Sequence, residues 1–228
     1  MKYLFLEEET DPKIIGKTFF QTVGVPDGLN IQFYSEGNGT GTLNNKVFPL
    51  DKTNFYWELK ETAKLTDRLN VGNITAEGLF VNDKIKNILE NQKLPEHRWY
   101  KGTIIENSYI AKKKGREQRK YTYWWLHLLA FPYATLDWQN SYFYKSYFGF
   151  DTVGDRLLFN NSDELIEARM KDKKHSIRFG NLVFKDSVDN YDLFYLGRPV
   201  SNIICSEKLM TILQKEKVTG FKFVEFLS

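Results

Sequence analysis

The chain of 228 residues has one cysteine, Cys205, which excludes an internal disulfide framework and any multi-cysteine zinc site within one chain. A reducing compartment, the cytoplasm, is the expected home. Histidine is almost as scarce. His97, His127 and His175 are never three to five residues from one another or from Cys205, so zinc and metalloprotease spacings are missing and no metal or cofactor is expected. A surplus of one charge is lacking too: 32 Lys and Arg stand against 29 Asp and Glu, a net +3 that does not by itself make a polyanion binder. No apolar run approaches the roughly 18 residues that cross a bilayer. The densest, Tyr121 to Phe131, carries His127 and reads as a buried strand. The short apolar patch before Glu7, Glu8 and Glu9 is no secretory signal core, and no membrane partner is expected. With no Pro/Ser-rich linker, residues 1–228 read as one compact domain, with 1–135 and 136–228 as the lobes if it divides.

What the chain does have is aromatic residues: 18 Phe, 13 Tyr and 5 Trp, concentrated between Tyr121 and Phe150. Such side chains serve cores first and binding surfaces second. Mean hydropathy of −0.47 with 27% charged residues is that of a globular protein.

An internal repeat organises the chain. Gly78 to Lys101 lies on Asn202 to Glu225 without a gap, at an offset of 124 residues. Each copy has three strand-type residues (Leu79-Phe80-Val81; Ile203-Ile204-Cys205), a helix N-cap (Asn82; Ser206), an acid in the first turn, and apolar residues at i, i+3 and i+4 (Ile85, Ile88, Leu89; Leu209, Ile212, Leu213). A turn and an aromatic strand follow, around Trp99-Tyr100 and over Phe221 to Phe226. Two strand-helix-strand units in mixed sheets predict an α+β fold. Elsewhere Lys2–Leu6 and Leu29–Tyr34 read as strands and Glu36–Thr42 as a loop. A short helix is expected over Asp163–Met170 with Ser162 as its N-cap, and a strand over Asn181–Phe184.

No Gly-x-Ser-x-Gly elbow, Walker sequence or dinucleotide fingerprint is present, and the acids form no recognisable acid/base pair, so no catalytic residue is assigned. His127 and Cys205 read as core residues. Lys112 to Lys120, with six basic residues and Gly115 at its tip, followed by Tyr121, Tyr123, Trp124 and Trp125, has the ingredients of a nucleic-acid site. It reads better as a charged turn between two strands, which makes nucleic acid an unlikely partner. Ser141 to Phe150 has six aromatics in ten residues. Those that stay exposed would form a protein-binding surface, for which Tyr142, Tyr144 and Tyr147 are better suited than Phe because a phenol can face water. Arg119, Tyr121, Tyr123 and Trp124 are the second group of candidate anchors.

Several stretches resemble a family. They are Tyr3-Leu4-Phe5, Thr66-Asp67-Arg68-Leu69 leading into residues 79–90, Asp137-Trp138-x-x-Ser141, Asp192-Leu193-Phe194, Ile204-Cys205-Ser206-Glu207-Lys208-Leu209, and Val218-Thr219-Gly220-Phe221-Lys222-Phe223. Over residues 60–228 the order and spacing are similar to the immunity proteins of bacterial polymorphic-toxin systems, families eleven and forty-three. The resemblance implies a protein that binds and blocks a toxin encoded beside it, with no catalytic residues to carry over. The competing expectations are a nucleic-acid-binding module built on Lys112–Lys120 and an enzyme whose site is assembled from scattered residues.

Overall fold

Tyr3 to Leu6 are all buried, which a strand achieves only when both of its faces are covered. This strand, β1 (Tyr3–Glu8), runs through the middle of the molecule. The computed structural model describes residues 2–17, 20–23, 48, 55–71, 78–147, 151–188, 190–197 and 202–226. The strand expected over Leu29–Tyr34 and the loop at Glu36–Thr42 lie outside the described residues. After β1 come α1 (Pro12–Ile15), β2 (Thr22–Val23), β3 (Phe55–Leu59), β4 (Gly78–Val81), α2 (Asp83–Glu90), β5 (His97–Ile105), α3 (Ser108–Lys113), β6 (Lys120–Leu128) and β7 (Ala130–Phe131). Then follow β8 (Tyr142–Tyr147), β9 (Asp151–Leu157), α4 (Ser162–Lys171), β10 (Ser176–Asn181), β11 (Leu193–Leu196), β12 (Asn202–Ser206), α5 (Glu207–Lys215) and β13 (Phe221–Val224). Among the described residues three sheets result, with strand orders β13-β1-β12-β11-β7, β2-β3-β5-β6-β4 and β10-β8-β9. Pairing is antiparallel except for β3 with β5 and β7 with β11, so the fold is α+β with mixed sheets.

The repeat is present in three dimensions. β4 and β5 both pair antiparallel with β6, which lies between them; β12 and β13 both pair antiparallel with β1. Each unit is therefore a split β-α-β whose gap is filled by a strand from elsewhere in the chain. The registers agree residue for residue. Trp125 faces Phe80 and Tyr100, and Phe5 faces Ile204 and Val224, the same positions 124 residues on. Only one of these middle strands crosses between the halves: β1, from the half that carries the first unit, completes the second, whereas β6, which completes the first, follows it in the same half.

Side-chain burial follows the same correspondence. Leu79, Val81, Ile85 and Leu89 share one core with their counterparts Ile203, Cys205, Leu209 and Leu213, so the helix-bearing faces of the two units meet. The outer face of one unit buries Leu69, Phe80, Tyr123 and Trp125. The outer face of the other buries Phe194, Ile204, Tyr3 and Phe5. Even a hydrogen bond is repeated: the Tyr123 hydroxyl donates to the Thr66 carbonyl at 2.6 Å, and the Tyr3 hydroxyl to the carbonyls of Val188 at 2.8 Å and Tyr191 at 3.3 Å. The expected helix caps are in place. Asn82 accepts from the Ile85 N–H and Ser206 from the Leu209 N–H, each satisfying an orphan donor of the first turn. Ile88 and Ile212 are half-buried. Lys84, Lys208 and Lys215 are exposed as expected, whereas Lys86 is half-buried, lying across Trp124 and Trp99 at 4.9 and 5.5 Å.

Four local expectations need correction. The N-cap of α4 is Asn161, not Ser162, because its extended backbone aims the side-chain oxygen at the N–H groups of Asp163 and Glu164. Residues 182–184 do not continue β10; the Val183 backbone instead accepts from Asp137 N–H at 2.8 Å and donates to Ser141 Oγ at 3.0 Å. The run Tyr121–Phe131 is broken at Leu129, where the chain leaves one five-stranded sheet and joins the other as β7. The basic connection is more than a turn: it contains α3, capped by Asn107, before Gly115 turns the chain at φ +63°. A cut between residues 135 and 136 would separate β1 from β12 and β13, and β7 from β11.

Candidate protein-docking surface

Alternation along β8 sends Phe143 into the core, fully buried, and turns Tyr142 and Tyr144 to the other face of the three-stranded sheet. There the two rings meet edge to face, with centroids 5.5 Å apart. Beside them is Gly180 of β10. A Cβ at this position would lie 2.3 Å from the Tyr142 ring and 2.8 Å from the Tyr144 ring, so only glycine lets the rings lie down against the strand. Arg156 of β9 crosses from the other side, its guanidinium 4.2 Å from the Tyr142 ring centroid. Hydrogen bonding to Tyr144, with the field of Tyr142, raises the Arg156 pKa. Arg178, opposite Tyr144 on β10, is exposed. The result is a flat Tyr/Arg face, rigid because each ring is held by glycine, arginine or the other ring.

The remaining candidates are distributed differently. Tyr147 points to the opposite side of β8 from Tyr144 and is 44% exposed, near His175 at a ring distance of 6.0 Å. His175 Nδ1 lies 3.0 Å from both Asp172 oxygens, and Lys145 donates to Asp172 at 2.7 Å; the Lys145 and His175 contacts hold the Asp172 carboxyl well below the usual range. Tyr123 is buried, its hydroxyl committed to Thr66 and its pKa pushed up by burial, so it belongs to the core and not to a surface. Tyr142 is also buried, under Arg156, and supports the face instead of reaching a partner itself. Tyr121 is half-buried against the core that holds Tyr123. Trp124 points to the other side of β6, where its indole N–H donates to Asp83 at 2.6 Å. Arg119 is exposed, and its backbone N–H donates to Glu106 at 3.3 Å. Arg119 to Trp124 thus form no single surface, because strand alternation divides them.

The basic segment is partly neutralised from within. Glu106, nearly buried, receives both Arg116 terminal nitrogens, the second at 2.6 Å, and has Lys114 at 3.9 Å. Arg116 accordingly lowers the Glu106 pKa. Lys112 and Lys113 remain exposed.

No protein-family model matches the chain, and no curated protein matches it.

Among the described residues no cluster of three or more His, Cys, Asp or Glu could hold a metal ion, and no helix is long and apolar enough to cross a membrane. His127 is fully buried and stacked on Trp125 at 4.6 Å, and Cys205 is fully buried with its thiol pKa pushed up to about 12 by burial. A thiol held so high is inert at neutral pH. Arg156, Arg178 and Gly180 had no signal in the sequence: their place beside Tyr142 and Tyr144 is set by strand pairing across the three-stranded sheet.

Proposed function

We propose that this protein binds a bacterial toxin encoded beside it and neutralises it by forming a stoichiometric complex, in the cytoplasm and without turnover. The observation that carries the reading is the Tyr142–Tyr144–Arg156 face. Pre-positioned tyrosine and arginine lose little side-chain freedom on docking, and these residue types dominate the energetics of protein interfaces. The resemblance to toxin-immunity proteins supplies the class of partner. A complex of ordinary size would bury about 1,600 Å² in total. Half-buried Tyr144 with exposed Arg156 and Arg178 would form its centre.

Co-expression of the neighbouring toxin gene with the wild type or with folded Tyr144→Ala, Tyr147→Ala and Arg156→Ala variants tests the reading. Wild type should restore growth and co-purify with the toxin, and Tyr144→Ala and Arg156→Ala should weaken both effects. A wild type that neither protects nor binds would sink it. Loss in Tyr147→Ala alone would move the interface to the opposite side of β8.

A further inference from the structure

Two arginines of this chain show how a guanidinium is normally consumed inside a fold. Arg116 is paired with Glu106, and Arg68 donates to the Glu7 carbonyl at 2.7 Å with Glu8 at 3.6 Å. Arg156 is held instead by uncharged groups, its guanidinium carbon 4.2 Å from the Tyr142 ring centroid and its N–H hydrogen-bonded to Tyr144. Among the described residues neither Arg156 nor Arg178, on the far side of β8, has an ion pair. A guanidinium carries five N–H donors, and the one given to Tyr144 leaves others that can receive a carboxylate in two parallel hydrogen bonds. The nearby Lys145 is already committed to Asp172.

We propose that Arg156 is a receptor for a carboxylate of the partner protein, an Asp or Glu side chain received in the plane of the guanidinium while Tyr142 backs its other face. That the partner is a protein rests on the toxin-neutralising reading; the preference for a carboxylate rests on the Arg156 geometry. Arg178 adds a second positive charge to the same face, so the matching surface on the partner is acidic. The interface is then selective by geometry as well as by charge, because a lysine at position 156 keeps the charge and loses both the fork and the stack.

Hexaglutamate serves as a probe that does not depend on the toxin, with dodecathymidylate as a polyanion of another class. Both are titrated into the intact protein at low salt while the arginine Nε–Hε resonances are followed. Hexaglutamate should shift the Arg156 resonance, with an effect that fades as salt is raised. Arg156→Lys should bind hexaglutamate at least tenfold more weakly while melting at the wild-type temperature, and Tyr142→Phe should retain binding because it retains the ring. No shift with hexaglutamate, or equal binding by Arg156→Lys, overturns the proposal. So does a shift of Arg156 at lower concentrations of dodecathymidylate than of hexaglutamate, which would make the ligand a nucleic acid. With the neighbouring toxin in place of the peptide, Arg156→Lys should again lose at least tenfold in affinity. A wild type that binds hexaglutamate at Arg156 but not that toxin would instead count against the proposed function.

Discussion

Asp67 and Asp192 play the same part in the two halves of the chain, one register position apart in the repeat, and each ties its own helix to the other half. Asp67 accepts from the Asn82 amide at 2.8 Å, at the start of α2, and from the Thr219 N–H and hydroxyl at 2.8 and 2.9 Å, beyond the end of α5. Asp192 accepts from the Ser206 hydroxyl at 2.9 Å, at the start of α5, and from the Lys93 N–H at 3.1 Å, beyond the end of α2. Each carboxylate thus bonds to both halves of the chain.

Asp192 is the more deeply buried of the two, 2% exposed, and Lys208 also reaches it at 3.1 Å. Burial raises its pKa, but the Lys93 N–H, Lys208 and Ser206 more than offset that, and the net direction is down. Its contribution to stability is therefore full above the unfolded-state value of about 3.9 and is lost as pH falls through the lower folded-state value. Asp192→Asn should cost about 2 kcal/mol at pH 7 by taking the charged acceptor from the Ser206 hydroxyl and the Lys93 N–H, while the exposed Lys208 loses little. Chemical denaturation from pH 7 down to pH 2 checks this. The gap between wild type and variant should narrow only below about pH 4.

Gly220 lies directly against the Arg68 backbone of the other half. At φ +90°, with a Cβ that would lie 2.1 Å from the Arg68 carbonyl oxygen, it admits no side chain without moving backbone. Gly220→Ala should destabilise by about 2 kcal/mol or more. At Gly115, where φ is +63° and nothing lies within 4 Å of where a Cβ would sit, alanine should cost about 1 kcal/mol, the conformational part alone. Melting temperatures of the two variants check the order.

In the basic connection, Lys112, Lys113 and Lys114 replaced together by Gln should leave the fold and the melting temperature nearly unchanged. Arg116→Ala removes the bidentate partner of the nearly buried Glu106 and should lower the melting temperature clearly. The same triple variant tests the nucleic-acid reading: a salt-dependent affinity of the wild type for DNA or RNA that drops in the variant would revive it.

The place of β1 between β12 and β13 predicts tolerance to circular permutation. β1 and β13 are paired neighbours, and Lys2 and Glu225 meet at 2.8 Å. Joining residue 228 to residue 1 through a short Gly/Ser linker and opening the chain at Gly115 turns β13 and β1 into consecutive paired strands, the relation β5 and β6 already have. Such a permutant should unfold cooperatively within about 5 °C of the wild type. A molten or aggregated product would show that β1 does not insert independently of its native connection.

The features legible in the sequence are those set by neighbours along the chain. Asn82 and Ser206 announce their helices because capping is a contact over three residues, and Ile85 with Leu89 and Leu209 with Leu213 mark the buried faces because a helix repeats every 3.6 residues. The fold class followed from those two units. The insertion of β1 between β12 and β13 and of β6 between β4 and β5 did not, since pairing Phe5 with Ile204 or Trp125 with Phe80 leaves no trace in either strand's own sequence. The docking face was half legible. Tyr144 could be named from composition, but Arg156 and Gly180 meet it only through pairing across β8, β9 and β10, and Tyr123 looked like surface until β6 was buried on both sides.

The most direct measurement of the functional account is a titration of toxin activity with this protein. If neutralisation is by complex formation, residual activity falls linearly with added protein and reaches zero at one equivalent, and Arg156→Lys shifts the curve to higher concentration without changing that end point. Complete loss of toxin activity at a small fraction of an equivalent would mean turnover, and would contradict the account.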